Sequence, residues 1–355
     1  MTTSNESASN PDNRALWLIR PGAFAVGPAP YTPPGADEVV VRTRAVGINL
    51  IDGLSSLLYR IILPWVAFPA VVGSDVAGEI VEVGANVAGL QIGDRVLGHA
   101  SGIEKGPDPA GTGAFQHYVV LQPWMVAKIP DTLSFAQAAV LPLQLSTAAS
   151  GMFQQDGLGL SLPSGDSPTR AETVLVWGGS TGVGSNAIQL ARNAGYRVIA
   201  TGSPRNFDYL RSLGASDVVD RSSRTAVAEL VGAIGEGPLA GSVAIGSGSL
   251  SKVMKVAARV PGTRRVTTAA PALLVRLASL HSPRAVRATG IWGGSLRRNE
   301  VGPAIYNDFL PIALASGGYH AAPPADVVGT GLDDIPAALK RLRKGVSAKK
   351  LVVVL

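Results

Sequence analysis

Four glycines within nineteen residues pose the first chemical question. Thr173–Ala191 reads TVLVWGGSTGVGSNAIQLA: five mostly apolar residues, then Gly178, Gly179, Gly182 and Gly184 among hydroxyls, then a helical pattern. A strand that ends in glycines and opens a helix brings unpaired backbone N–H groups to one point. The helix dipole adds partial positive charge there, so an anion is favoured. Glycine also lets a pyrophosphate approach with no Cβ in its way. Set after a strand, before a helix and inside repeated strand–helix units, the motif predicts a dinucleotide site on Gly179, Ser180, Thr181, Gly182 and Val183.

The second strand selects the dinucleotide. An acid at its end would hold a ribose 2′-hydroxyl. Here the strand runs into ATGSPRNFD and offers Ser203, Arg205 and Asn206 instead. A carboxylate would repel a 2′-phosphate, whereas a hydroxyl and a guanidinium bind it, which predicts NADPH; solvation of a loop is the plainer role for Arg205. Arg221, just beyond the next strand, joins the cofactor set. So do Ile245, Gly246 and Ser247, at the end of the fourth strand, and Trp292 in the IWGG stretch after the last one.

These residues need a scaffold. From Ala15 to about Val126 the chain shows short Val- and Ile-rich runs bounded by Gly and Pro, among them Glu38–Asn49, Val71–Gly84, Ile92–Gly98 and Gly113–Leu121. That spacing predicts a small, strongly curved β domain. Ser134–Phe153 reads as helix interrupted at Pro142, followed by a Gly/Ser/Pro-rich loop over residues 156–172. Strands at 173–177, 197–201, 217–219, 242–245 and 264–268 then alternate with helices at 182–193, 207–213, 224–233 and 250–258, the pattern of a doubly wound parallel sheet. Helices at about 303–315 and 334–344 and a last strand at 350–355 complete the chain. The fold class is therefore α/β.

Composition narrows the function. The 355 residues exceed one ordinary core, so two domains are expected. There is no run of eighteen apolar residues, and the polar start MTTSNESASNPDN lacks the features of a signal peptide, so no membrane partner and a cytoplasmic location are expected. Cysteine is absent, which excludes disulfides and thiolate metal sites. The net charge is +6. Basic residues outnumber acids roughly three to one from Lys252 onward. Yet Lys340, Arg341, Arg343 and Lys344 lie on a helical pattern with no interleaved aromatics, which reads as a solvated face, not a nucleic-acid surface.

Read together, the segments APYTPPGADEVVVRTRAVGIN, GSDVAGEIVEVGANVAGLQIGDRVLG, GAFQHYVV, VLVWGGSTGVGSNAIQLA and TGSPRNFDYLRSLGASDVVD resemble the medium-chain dehydrogenase/reductase superfamily. The likeness is greatest to its zinc-independent quinone reductases and trans-acting enoyl reductases. It implies a GroES-like β domain over residues 1–145, a Rossmann NADPH-binding domain over 146–301 and a return segment over 302–355 that completes the first, with the cleft between them. Where zinc-dependent members carry Gly-His-Glu, this chain has Gly73, Ser74 and Asp75. Its four histidines, His99, His117, His281 and His320, lack partners at metal-ligand spacing, so no metal is expected.

The resemblance also assigns roles. Asn49 and Asp52 lie in NLIDGL, similar to the branch's Asn-Pro-x-Asp-x-Lys loop facing the nicotinamide, with Leu50 for the proline and Leu54 for the lysine. Ser146 and Thr147 match a hydroxyl pair that contacts the nicotinamide, although Thr147 equally fits a helix residue bonded to its own backbone. Ser347 and Lys349 resemble a tail segment that closes over NADPH. Tyr59 reads either as a donor to an oxyanion or as packing beside IILPW. The expectation is a zinc-independent, NADPH-dependent reductase of the activated C=C bond of an enone or enoyl thioester, acting as a monomer or homodimer on a small molecule. The alternatives are an NADPH:quinone reductase, which Leu54 favours, and an NADPH-binding protein without turnover.

Overall fold

The computed structural model describes residues 11–106, 108–280, 282 and 286–355. Eight strands come first: β1 (Asn13–Arg20), β2 (Ala23–Ala29), β3 (Val39–Gly47), β4 (Ala70–Val71), β5 (Asp75–Val83), β6 (Arg95–His99), β7 (Tyr118–Leu121) and β8 (Val126–Lys128). The Val71–Gly84 run is split into β4 and β5. The break falls at Gly73, whose φ of +98° favours glycine, and Phe115 packs where a Cβ would stand. Gly113–Leu121 is strand only from Tyr118; before it the chain carries an isolated bridge from Gln116 to Ala15.

Six strands follow: β9 (Thr173–Trp177), β10 (Arg197–Gly202), β11 (Asp217–Asp220), β12 (Leu239–Ala244), β13 (Arg265–Thr268) and β14 (Arg287–Gly290). They pair in parallel in the order β11-β10-β9-β12-β13-β14. Every residue of β9 is buried, as expected of a central parallel strand covered on both faces. Alternation sends Val174 and Val176 into one apolar cluster and Leu175 and Trp177 into another. The helix Ala272–Leu280 was not read from the sequence.

The last strands, β15 (Ala325–Thr330) and β16 (Lys350–Val354), return to the first sheet, in the order β15-β16-β3-β5-β6-β8. β15 is an edge strand, nowhere fully buried, and it was missed because its alternation is weak. The helix expected near 303–315 is continuous from Val301 to Ala315 but passes through a π-helical turn at Ala304–Phe309. Pro311 lies just beyond; it has no N–H to give and its ring crowds the preceding turn, so the register widens there. The positions 145/146 and 301/302 both fall in helical stretches, the first inside Pro142–Phe153. The cluster beneath that helix mixes Ala45, Ala77 and Leu97 of the first sheet with Val174 and Val198 of the second.

The turn after β9 depends on close backbone contact. A Cβ on Gly184 would stand 2.8 Å from Gly178 C and Gly179 Cα. Gly184→Ala should push the helix Gly182–Asn193 off its strand and lower stability by about 1–3 kcal/mol. Urea unfolding measures this; a midpoint unchanged from wild type would refute the packing role.

Candidate active site

A cleft of about 650 Å³ opens where the two sheets meet. One end is polar. Thr181 caps the helix Gly182–Asn193, its Oγ1 accepting from Gly184 N at 3.0 Å, and the free first-turn amides of Gly182 and Val183 belong to cleft-lining residues. Ser180 and Thr181 line it as well. Gln144 reaches over Gly182, and its Oε1, on the cleft wall, has no hydrogen-bond partner. Beyond lie half-buried Ser203 and two exposed arginines, Arg205 and Arg221. Arg221 Nε donates to Ser203 Oγ at 3.4 Å, and neither arginine forms an ion pair among the described residues. Free amides at a helix start followed by two unpaired guanidiniums fit a row of phosphates.

The other end is apolar, walled by Leu50, Ile51, Leu143, Trp292 and Leu342. Trp292 Nε1 donates to both carboxylate oxygens of Glu104 at 3.0 Å, which fixes the indole plane. Burial raises the Glu104 carboxyl above its ordinary value. The loop Gly345–Lys349 forms a further wall, and Asn206 Nδ2 donates to Ser347 Oγ at 3.3 Å across to it.

At the floor, Asn49 is fixed on all sides. Its backbone N–H donates to Asp52 Oδ2 at 2.9 Å, its Nδ2 to Asp75 Oδ2 at 2.9 Å, and its Oδ1 accepts from Lys350 Nζ. Lys350 Nζ is also 2.7 Å from Asp75 Oδ2, and Leu143 N donates to Asp75 Oδ1 at 2.6 Å. The register explains the meeting: Val352 pairs with Gly47 and Ile48 N donates to Leu351 O, which sets Lys350 beside Asn49.

Of the expected residues, the cleft gathers Asn49, Thr147, Ser180, Thr181, Gly182, Val183, Ser203, Arg205, Arg221, Trp292, Ser347 and Lys349. Thr147 Oγ1 nevertheless donates to Leu143 O at 2.7 Å, the helix-internal bond. Lys349 Nζ lies 3.9 Å from Asp326. Asn206 is buried and acts on the loop only through Ser347.

Several residues are not where they were expected. Tyr59 is buried, donating to Asp52 O at 3.1 Å with its ring edge-on to Phe68, and it is not among the cleft-lining residues. Asp52 is fully buried and is not among the cleft-lining residues. Ser146 is buried on the far side of its helix, 2.9 Å from His99 Nδ1 and 2.7 Å from Tyr306 OH, which donates to Pro142 O. Burial holds the His99 imidazole neutral, down to about 4. Gly179 packs under Ala200 and Leu210 instead of lining the cleft. Ile245, Gly246 and Ser247 form a turn outside it; Ile245 O lies where a Cβ on Gly178 would. His281 lies outside the described residues. Among those described, no group of three His, Asp or Glu side chains could hold a metal, and no helix is long and apolar enough to cross a membrane. Sequence reasoning missed Lys350, Gln144 and Glu104. Lys350 alone carried a signal, being the first residue of a clear strand.

Residues 35–131 match the alcohol dehydrogenase GroES-like domain. The chain is 43% identical to dehydrogenase pigH of Monascus ruber, over 97% of this chain and 99% of that one. The chain belongs to the medium-chain dehydrogenase/reductase superfamily. Members of the superfamily are oxidoreductases that use nicotinamide cofactors. The chain is also 34% identical to trans-enoyl reductase himH of Aspergillus japonicus, over 96% of this chain and 97% of that one. The CurK enoyl reductase structure shares the fold, with a TM-score of 0.74 at 22% identity, over 97% and 99% of the two chains.

Asp52 gives this superfamily member a testable pH signature. Burial, and then the nearby Asp75 carboxylate, push Asp52 up to about 7 from 3.8. Between those values the folded chain keeps a proton that the unfolded chain has lost, so stability falls as pH rises through that interval. Asp52→Asn cannot ionise and should escape the loss. Its melting temperature relative to wild type should climb from about pH 4 to about pH 8. Thermal melts across that range decide the matter, and a flat or falling difference would remove Asp52 as the cause.

Proposed function

We propose that this chain is an NADPH-dependent reductase of the C=C bond of an α,β-unsaturated carbonyl compound, working without zinc in the cytosol. The observation that carries the reading is a single cleft joining the glycine turn and two unpaired arginines to an apolar end with Asn49 at its floor. In this reading residues 146–301 hold the cofactor, while 1–145 and 302–355 supply the acceptor side.

The residues divide the work. The amides of Gly182 and Val183 receive the pyrophosphate, with Ser180 and Thr181 beside it. Ser203, Arg205 and Arg221 receive the 2′-phosphate, a preference supported by the absence of an acid among the cleft-lining residues there. Thr147, Trp292 and the Gly345–Lys349 loop confine the nicotinamide end and keep water from it. When bound, NADPH supplies the hydride. The protein's part is then to align the acceptor and to stabilise charge arriving on its carbonyl oxygen, a role supported for Asn49 by its place in the cleft lining. Zinc independence is supported by Asp75, whose carboxylate is taken up by Lys350, Asn49 and Leu143 N.

A quinone is the second acceptor class, favoured by the walls of Leu50, Ile51 and Leu342 and by Leu54, which packs on the first sheet's core. Turnover of a quinone against an enoyl thioester separates the two, and no NADPH oxidation with any enone, enal, enoyl thioester or quinone would refute both.

The cofactor preference has its own test. Arg205→Ala and Arg221→Ala should each weaken NADPH binding about tenfold while leaving NADH within about threefold. Fluorescence titration of both reduced nicotinamides measures it; equal losses for the two would place the arginines elsewhere.

A further inference from the structure

We propose that Lys350 is a catalytic residue: its ammonium and the side-chain amide of Asn49 form a two-donor site for the carbonyl oxygen of the acceptor. The inference rests on the reductase reading, which it deepens by naming what the cleft floor binds.

An ammonium has three N–H bonds and a carboxamide has two. Lys350 spends one on Asp75 Oδ2 and one on Asn49 Oδ1, which leaves one without a protein acceptor among the described residues. Asn49 Nδ2 spends one on Asp75 Oδ2 and likewise keeps one. Both residues line the cleft, and they touch each other, so the two spare donors are neighbours. The orientation of the Asn49 amide is settled by chemistry, because its oxygen must face the ammonium and its nitrogen the carboxylate. The pair is therefore set before any acceptor arrives, as stabilisation of developing charge requires.

Charge supports the same assignment. Lys350 is only 2% exposed and Asp75 is fully buried. A buried ion pair contributes little net stability against well-packed apolar side chains, so packing alone gives little reason for an ammonium in this wall. The Asp75 charge is spread over three donors: Lys350 Nζ, Asn49 Nδ2 and Leu143 N. The ammonium is thus tethered by one charged and one neutral acceptor, on a residue that lines the cleft. Asp52, held up near 7, adds less negative charge than an ordinary carboxylate would. His99, paired with Asp75 across β5 and β6, is neutral. Such a site suits one carbonyl oxygen on an otherwise apolar molecule.

A stable aryl oxyanion reads the donors without turnover. The protein without cofactor is titrated with 4-nitrophenolate, followed by absorbance, and with neutral 4-nitroanisole. Lys350→Met strands Asp75 and is open to misfolding, so Lys350→Met/Asp75→Asn is made beside it. Wild type should prefer the phenolate, and the double variant should lose that preference by about 100-fold while binding 4-nitroanisole within about threefold of wild type. With NADPH and an enone, kcat should fall about 100-fold with KM little changed, since a donor to developing charge acts in the transition state. NADPH affinity should stay within about threefold. A wild type with no phenolate preference, or a double variant that keeps it, overturns the assignment. Wild type that oxidises NADPH with no acceptor yet shows the Lys350-dependent preference refutes the reductase reading and leaves the donor pair standing.

Discussion

The contact between Lys350 and Asp75 is the constraint from which the active end of this molecule follows. It joins the last strand to the first sheet, 275 positions apart in the chain, with both charges withdrawn from water. Neither charge is tolerable alone in that setting. β16 must therefore lie where its first residue meets β5, and once it does, Asn49 is clamped between the two. The loop Gly345–Lys349, immediately before β16, is carried over the cleft by the same placement. The tail thus closes the site because its following strand is anchored beneath it.

A second constraint acts at the opposite end. The glycine turn after β9 works by omission: Gly178 and Gly184 leave room for neighbouring backbone, and the free amides at the helix start remain as the polar lining. Arg205 and Arg221 extend that lining from loops beyond β10 and β11. The polar end is thus exposed, cationic and built from loops, while the apolar end keeps its charges buried and its donors fixed. An extended ligand with an anionic half and a reactive, uncharged half matches that gradient.

The parallel sheet could be read from the sequence because its signals are local. β9 and β10 are short, mostly apolar runs, and Thr181 caps the helix between them; the edge strand β14, RATG, carries no such run. The glycine turn and the two arginines were found for the same reason. The inner residues were harder. Asp52, Tyr59 and Ser146 are polar side chains in motifs that invite a catalytic or cofactor-binding reading, yet each is buried. Their direction depends on how a 3₁₀ turn and two helices sit on a sheet formed by distant residues. Gln144 and Glu104 carry no local mark at all; only the folded chain brings them to Gly182 and Trp292.

Lys349 and Lys350 show how narrow that margin is. Adjacent residues of a strand point to opposite faces, so one position separates a surface ion pair from the floor of a cleft. The sequence sets two lysines in a row before LVVVL, and the strand pattern does not say which of them turns inward. The ladder ranks them, because pairing Val352 with Gly47 turns Lys350 inward and Lys349 toward Asp326. A slip of one residue would exchange the two and bury the wrong ammonium. Gly47 makes room for the pair, since a side chain there would collide with Ala139 O, Asp75 and Lys350. The register of the final strand is thus held by the same buried charges that it brings into position.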